Sequence, residues 1–335
     1  MTSVNFSSWH RWVWGVGLLA LGLLPACHEN APSTSNPDDT PTSGRVSIGV
    51  DETFAPIMQS QVDTFQKLYS DAHVRARYQP EDSVFLNLLN DKAMVVIASR
   101  KLNDDEAKEL GKQKMYPRTT RIGIDGLAII LHPSNPDSLL TVTQLRDIFS
   151  GKTTEWSQLS GQKKLGAIRV VFDANRSSTS RFVRDSLLKG STLSTKAFAA
   201  DSNPKLLDYV ATHPTAVGIL GVNWISDSDD PAVQGFLRRV RVAAITDRPN
   251  PTPDDFIQPY QGNLAEKSPA ILREHPELQN YPLRRDIYAI SREPRAGLGT
   301  GFVSFVAGKK GQLILQKSGL MPANVQARIV IVKKD

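Results

Sequence analysis

Hydroxyl side chains cluster at Ser177-Ser178-Thr179-Ser180, separated by four residues from the preceding apolar run Val170-Val171-Phe172. The apolar periodicity of the following segment, 182–188, predicts that a strand, a tight loop and a helix succeed one another here. The first N–H groups of a helix lack intrahelical partners and carry partial positive charge. Hydroxyl donors beside them would therefore form a binding site for a small oxyanion. A simple N-cap at Ser177 or Ser178 explains the same residues equally well.

Two further strand-to-helix turns carry a hydroxyl group. Thr53 follows a predicted strand over 46–50 and precedes a helix with Pro56 in its first turn, and Ser99 follows a buried-type strand over 94–98. Parallel strands end at a common edge of the sheet, and α/β proteins bind ligands there. These turns therefore predict a parallel α/β sheet with a polar site at its strand ends.

The length and the middle of the chain indicate two lobes. A chain of 335 residues has the length of two domains. An apolar strand predicted over 121–131, with central glycines, is long enough to cross between the lobes. A helix predicted over 140–150 ends at Gly151, which suits a C-cap.

The amino terminus has the pattern of an exported lipoprotein. Residues 1–26 place His10-Arg11 before an apolar run too short to span a bilayer, which is typical of a secretory signal. The segment Leu24-Pro25-Ala26-Cys27 resembles the bacterial lipobox and predicts lipidation of Cys27; a plain signal peptide cut elsewhere is the alternative. Residues 27–44 are polar and rich in Pro, Ser and Thr, which predicts a flexible tether.

The composition argues against several classes of protein. The hydrophobic content of 40% and charged content of 22% are typical of a soluble globular protein. The net charge of +6 is spread without long basic runs, which argues against nucleic-acid binding. Cys27 is the only cysteine, which excludes an intrachain disulfide and a metal–thiolate cluster, and the six histidines lack metal-binding spacing. We therefore predict no metal and no cofactor.

The segment 125–156 resembles the phosphate-binding receptor family of bacterial phosphate ABC importers, through DGLAIILHPSNP and LTVTQLRDIFSGKTTEW. Further stretches resemble the same family in the same order, so that the similarity extends over about residues 45–325: Thr53-Phe54-Ala55-Pro56, Ala98-Ser99-Arg100, Ser177-Ser178-Thr179-Ser180, the glycine-containing strand at 216–221 and the terminal helix at 311–322.

This resemblance implies an α/β fold of the two-lobe type II periplasmic binding protein class, with two hinge-crossing strands and the ligand buried between the lobes. Residues 45–124 plus 287–335 would form lobe one, and residues 125–286 would form lobe two. The stretch 281–290 would be the return crossing.

The resemblance also implies the residues that bind the ligand. The family's counterparts of Thr53 and Phe54 donate hydrogen bonds through a hydroxyl and a backbone amide, and the residue matching Ser99 comes from the same lobe. The turn that closes from the opposite lobe would be Ser177, Ser178 and Thr179.

Two positions depart from the family pattern. Familiar members carry an arginine where this chain has Asp173, and some use an aspartate, in the place of Ser99, to accept the proton of monohydrogen phosphate. The lost acceptor would be Asp173, unless Asp173 caps its own loop and points away from the site. The lost cation would be replaced by Arg176, Arg181 or Arg100.

These observations predict a membrane-anchored lipoprotein receptor at the cell envelope, facing the periplasm or the cell exterior. It would bind inorganic phosphate or a similar oxyanion and deliver it to ABC permease subunits. A sulfate-like ligand, or a non-transport surface or scaffold protein that reuses the fold, is the alternative. Enzymatic activity is not predicted, because no Gly-x-Ser-x-Gly elbow occurs and the Ser-x-x-Lys at 160–163 lacks its partner motifs.

Overall fold

The structure is a computed structural model that describes residues 39–160, 165–227, 229 and 231–323. The predicted signal peptide, Cys27 and most of the tether lie outside the described residues, as does most of the Ser-x-x-Lys segment. Within the described ranges, no helix combines the length and the apolar character that crossing a membrane requires.

Strands and helices alternate along much of the described chain. The strands are β1 (Gly44–Asp51), β2 (Ala72–Gln79), β3 (Val95–Ala98), β4 (Arg118–Leu131), β5 (Leu139–Thr141), β6 (Arg169–Phe172), β7 (Phe198–Ala199), β8 (Ala216–Gly221), β9 (Arg241–Val242), β10 (Ala244–Thr246), β11 (Arg284–Ser291) and β12 (Met321–Pro322). The helices are α1 (Ala55–Leu68), α2 (Glu81–Leu89), α3 (Asp104–Lys112), α4 (Val142–Ser150), α5 (Ser157–Ser160), α6 (Ser178–Phe182), α7 (Asn203–Thr212), α8 (Pro231–Leu237), α9 (Gln261–Leu264), α10 (Pro269–Glu274), α11 (Leu298–Ala307) and α12 (Lys309–Lys317).

Local signals explain where the helices begin and end. The side chain of Thr141 accepts a hydrogen bond from the Gln144 N–H, and Gln144 reciprocates, which forms a capping box at the start of α4. The same helix ends at Gly151, whose φ of 79° lies in the left-handed region. Asn103 and Glu106 form an equivalent capping box at α3. The predicted helix and its glycine stop are confirmed, but the helix begins at Val142 rather than at residue 140, because Leu140 and Thr141 belong to β5.

A continuous sheet runs through the described chain in the order β2-β1-β3-β11-β4-β8-β6-β7. Strand β4 joins the two parts of this sheet, because eight of its first nine residues pair antiparallel with β11 and its last five pair antiparallel with β8. On one side of this crossing β1 lies parallel to β2 and β3, and on the other side β6 lies parallel to β7 and β8. The crossing strand predicted over 121–131 is thus confirmed, and β11 is the antiparallel return strand.

Each part of the sheet has its own aromatic packing. Phe65 of α1 meets Phe302 of α11 edge to face, with ring centroids 5.4 Å apart. Beyond the crossing, Phe149 of α4 packs on Phe172 of β6 with centroids 5.6 Å apart. These rings are buried, so each half positions its strand ends rigidly. The lobe bounds 45–124 plus 287–335 and 125–286 stay a prediction.

Candidate functional site

The turn after β1 is held in place by polar contacts from both ends. Asp51 accepts a hydrogen bond from the Thr53 N–H at 3.1 Å, and the Thr53 carbonyl accepts from Asn223 Nδ2 at 2.8 Å and from Trp224 Nε1 at 2.9 Å. Gly221, at the end of β8, lets this turn approach, since a Cβ there would lie 2.6 Å from Thr53 Cγ2. The Thr53 hydroxyl is thereby fixed in a fully buried position.

The loop after β6 is organised around Asp173. The Oδ1 atom of Asp173 accepts from the Ala174 N–H at 2.9 Å and from Ser177 Oγ at 2.6 Å, and its Oδ2 accepts from Thr179 Oγ1 at 3.2 Å. Ser177 Oγ also accepts from the Ser180 N–H at 3.1 Å, which makes Ser177 the N-cap of α6. The N-cap interpretation is therefore confirmed for Ser177.

Residues from the two parts of the sheet meet at Thr53. Its Oγ1 lies 3.2 Å from Ser178 Oγ and donates to Asp173 Oδ2 at 3.5 Å. All three side chains are fully buried. Asp173 therefore bonds its own loop and faces Thr53 at the same time, so capping the loop does not turn it away from this cluster.

Arg285 of β11 is part of this cluster, which the sequence reasoning did not anticipate. Its Nη1 donates to Ser178 Oγ at 2.9 Å, its Nε donates to Asp125 Oδ2 at 3.0 Å, and its guanidinium carbon lies 5.1 Å from the centre of the Phe54 ring. Only 3% of the Arg285 side chain is exposed. Arg285 thus places a buried positive charge beside the hydroxyl groups.

A sequence signal for Arg285 existed in the alternation of β11. Arg285, Ile287 and Ala289 alternate along one face of the strand, and all are buried. An arginine on the same strand face as buried apolar residues predicts a buried acidic partner, because unpaired charges are rarely buried. Asp125, inside the buried part of β4, is that acid.

Ser99 belongs to a second group of contacts, which is centred on Glu81. Both its N–H and its hydroxyl donate to Glu81 Oε1 at 2.9 Å. Arg181 of α6 reaches across to the same group, with its Nε 2.5 Å from Glu81 Oε2 and its Nη2 2.8 Å from Ser99 Oγ. The ion pair of Arg181 with Glu81 therefore connects the two parts of the sheet, as the contact of Thr53 with Ser178 also does.

The remaining predicted cations lie elsewhere. Arg100 is bidentate to Glu106 at 2.7 and 2.8 Å and stacks on the Phe85 ring, with its guanidinium carbon 3.6 Å from the ring centre. Arg176 is exposed and has a φ of 62°. The structure therefore brings together Thr53, Phe54, Asp173, Ser177, Ser178 and Thr179, places Ser99 in the adjoining group, and leaves Arg100 at its margin and Arg176 outside.

Burial changes the acidity of the carboxyl groups in and around the cluster. It raises the pKa of Asp51 to about 7, with repulsion from Glu81 as a further cause, and it also raises the pKa of Asp125 and of Asp173. Burial would raise the pKa of Glu81 too, but Arg181 and the Ser99 donors outweigh it and lower that pKa. The site therefore combines hydroxyl and guanidinium donors with carboxyl groups that hold protons unusually well.

This donor and acceptor set suits a small polar ligand rather than a metal ion. Within the part of the chain that the structure describes, no group of three or more His, Cys, Asp or Glu side chains is arranged to hold a metal. Hydroxyl and guanidinium donors that converge from two halves of a fold are able to surround an oxyanion and to hold those halves together.

Comparisons with known proteins agree with the fold. The phosphate-binding protein PstS of Staphylococcus saprophyticus is 23% identical over 95% of this chain and 90% of its own length. The phosphate-binding protein PstS 2 of Streptococcus agalactiae is 29% identical over 36% of this chain, a match that spans only 39% of that relative. A Clostridium perfringens protein, assigned as a phosphate ABC transporter substrate-binding protein and crystallised with phosphate, has a TM-score of 0.66 and 21% identity, covering 84% of this chain and all of that one.

These findings confirm the resemblance seen in the sequence and the α/β two-lobe type II fold with two crossing strands. The model of the PBP superfamily domain matches residues 35–310. Since this match covers most of the sequence, the chain belongs to the PBP superfamily.

Proposed function

We propose that this chain is an extracytoplasmic receptor that binds inorganic phosphate between two lobes and delivers it to an ABC importer, without a catalytic step. The observation that carries the proposal is the buried contact of Thr53 with Ser178, which in turn receives a hydrogen bond from Arg285. Each part of the sheet contributes donors to this one place. The names of the similar proteins point to phosphate as the anion.

In this proposal the site consists of the hydroxyl groups, the Phe54 turn and one buried guanidinium. Arg285 supplies the positive charge that familiar members draw from an arginine at the place of Asp173. The hydroxyl of Ser178 and that of Thr53 already lie between the two halves, so a ligand there strengthens the closed arrangement. Lobe one would comprise 45–124 plus 287–335 and lobe two 125–286, as the resemblance implies.

The proposal includes a lipid anchor on Cys27, motivated by Leu24-Pro25-Ala26-Cys27 and the polar tether. The several acyl chains of a bacterial lipoprotein would hold the receptor at the membrane, whereas one chain binds weakly. Mass spectrometry of the mature amino terminus should find a lipid-modified Cys27. An unmodified amino terminus at another residue would contradict the anchor.

Calorimetric titration of residues 28–335 with phosphate, sulfate, phosphonate and arsenate tests the function. We expect phosphate to bind and to raise the melting temperature through preferential binding to the folded state. If phosphate gives no heat and no thermal shift while sulfate does, the ligand is another oxyanion. If none of these anions changes the melting temperature or the radius of gyration, the receptor proposal fails.

A matched pair of serine variants localises the binding. Ser178 lies in the cluster, whereas Ser180, which is also buried, donates its hydroxyl to the Ser177 carbonyl of its own loop. Ser178→Ala should weaken phosphate binding by roughly tenfold or more, as expected for a hydrogen bond to a charged group. Ser180→Ala should leave the affinity within about twofold of the wild type. Equal losses in both variants would place the ligand elsewhere.

A further inference from the structure

The hydroxyl donors of the candidate site already have an anionic acceptor within the chain. The Asp173 carboxyl receives Ser177 Oγ at 2.6 Å, the Ala174 N–H at 2.9 Å, Thr179 Oγ1 at 3.2 Å and Thr53 Oγ1 at 3.5 Å. Three of these donors are side chains that the proposed function assigns to the ligand. An external oxyanion therefore competes with Asp173 for the same hydrogen atoms, since each hydroxyl has one to give.

Glu81 is the corresponding anionic acceptor in the adjoining group around Ser99. It receives the N–H and the hydroxyl of Ser99, both at 2.9 Å, and pairs with Arg181 at 2.5 Å. The positive charge of Arg181 is thus committed to Glu81 rather than to a ligand. Arg285 is similarly paired with Asp125, at 2.9 Å between Nη2 and Oδ2.

The charged groups of the Asp173 cluster and of the adjoining Glu81 group sum to a negative value when all are ionised; Arg100, 3.8 Å from Glu81, is balanced by its own partner Glu106. The carboxylates are Asp51 and Glu52 at the end of β1, Glu81 of α2, Asp125 of β4 and Asp173 itself, and the cations are Arg181 of α6 and Arg285 of β11. Like charges repel more strongly in a buried site than in water, because the surroundings screen them less. A doubly charged phosphate entering this surplus of negative charge is strongly disfavoured unless the surplus is reduced.

We propose that the cleft binds its oxyanion together with a proton from solvent, which is taken up by the Asp173 carboxyl group. Once protonated, Asp173 no longer competes as an anion; its hydroxyl donates to an oxygen of the ligand, and the Thr53, Ser177 and Thr179 hydroxyls turn to the ligand as well. No covalent bond is made or broken apart from the O–H bond formed at Asp173. This inference rests on the proposed function and adds proton uptake to it.

Burial supports the proposal, because it raises the pKa of Asp173 and makes the protonated form accessible closer to neutral pH. Asp51 and Glu52 nearby have pKa values of about 7, mainly through burial. An added anion raises such pKa values further, since negative charge favours the protonated form. Phosphate should therefore bind more tightly in acid, and its affinity should fall as the pH rises.

Proton uptake is measured directly on the full wild-type chain by titrating phosphate in buffers of different ionisation enthalpy. At about pH 8, where a phosphate group is doubly charged, we expect uptake of about one proton per phosphate bound. The dissociation constant should rise by roughly tenfold per pH unit in this range. Phosphate binding without net proton uptake would overturn the proposal and leave the proposed function standing.

The variant Asp173→Asn locates the proton. Asparagine keeps an oxygen that accepts from the hydroxyls but has no titratable proton. The control is Asp208→Asn, an exposed carboxylate paired with Arg239. Asp173→Asn should abolish the uptake and flatten the pH dependence, with affinity at high pH equal to or above that of the wild type, whereas the control should behave as the wild type.

The outcomes distinguish a failure of the proton-uptake inference from a failure of the proposed function. Equal uptake in wild type and Asp173→Asn would overturn the assignment to Asp173. Absence of phosphate binding at every pH, in a wild-type chain with a cooperative melting transition, would overturn the proposed function and this inference with it. If Asp173→Asn does not fold, the buffer comparison on the wild type still decides whether a proton is taken up.

Discussion

Replacing Arg285 by glutamine should destabilise the fold and weaken phosphate binding, and the two effects should be separable. Arg285 and Asp125 are 3% and 0% exposed, and their charges are 2.9 Å apart. The variant Arg285→Gln therefore leaves the Asp125 carboxylate buried without its cation. The double variant Arg285→Gln/Asp125→Asn removes both charges and keeps a pair of amides able to form a hydrogen bond.

The size of the effect follows from the burial of the pair. Coulomb's law gives about 6 kcal/mol at this separation and a dielectric constant of about 20, and breaking buried ion pairs by removing one partner costs about 3–5 kcal/mol. The loss should be largest above neutral pH, because burial raises the pKa of Asp125 and a proton relieves the uncompensated charge in acid. The double variant should regain most of this stability, since neither charge remains buried.

Binding should respond differently from stability. The guanidinium supplies a charged donor beside Ser178, so its loss should weaken phosphate binding by about 10- to 150-fold in the single and the double variant alike. Urea unfolding gives the stability, and calorimetry gives the affinity. The control is Arg239→Gln, whose pair with Asp208 is 47% and 59% exposed and should contribute at most about 1 kcal/mol. A double variant as unstable as the single, or one with unchanged phosphate affinity, would refute this reasoning.

Further predictions concern single residues of the same region. Arg176 is exposed with a φ of 62°, so Arg176→Gly should raise the free energy of unfolding by about 1 kcal/mol and leave phosphate affinity unchanged, as urea unfolding and calorimetry would show. Native Asp51 holds its proton up to about pH 7 and unfolded Asp51 loses it near pH 4, so its contribution to stability falls as the pH rises between these values; Asp51→Asn should stabilise the fold above neutral pH and progressively less in acid, by urea unfolding across that range. If the Asp173 carboxylate instead accepted the proton of the bound phosphate, Asp173→Asn would change the phosphate-to-sulfate affinity ratio by about tenfold or more in parallel titrations. A protonated Asp173 that donates to the ligand, as proposed above, serves both anions alike, so we expect the ratio to change much less.

The local segments of the fold follow from short stretches of sequence. Pro56 in the first turn, with Val62 and Phe65 at helical spacing, predicts a helix there, and α1 spans Ala55–Leu68. Ser177 as an N-cap depends only on the residues next to it. Such features are predictable because each is decided by hydrogen bonds and apolar spacing within a few residues.

Local sequence did not decide which arginine supplies the positive charge of the candidate site. Arg176, Arg181 and Arg100 stood near the polar turns in the sequence, but Arg176 lies exposed, Arg181 is paired with Glu81 and Arg100 with Glu106. Proximity along the chain says little about which side chain faces inward, since a strand or loop presents successive residues to different sides. The alternation of β11 was the available signal, and it becomes decisive only once the strand is known to be buried.

The sequence by itself determined the α/β character, the strand-to-helix turns that carry Thr53, Ser99 and Ser177, and the family resemblance. Only the tertiary structure decided that Arg285 meets Ser178, 107 residues away, and that Asp173 receives the hydroxyl of Thr53, 120 residues away. The physical reason is that the protonation and pairing of a buried charge depend on everything folded around it, and the β4 and β11 crossings bring those groups together.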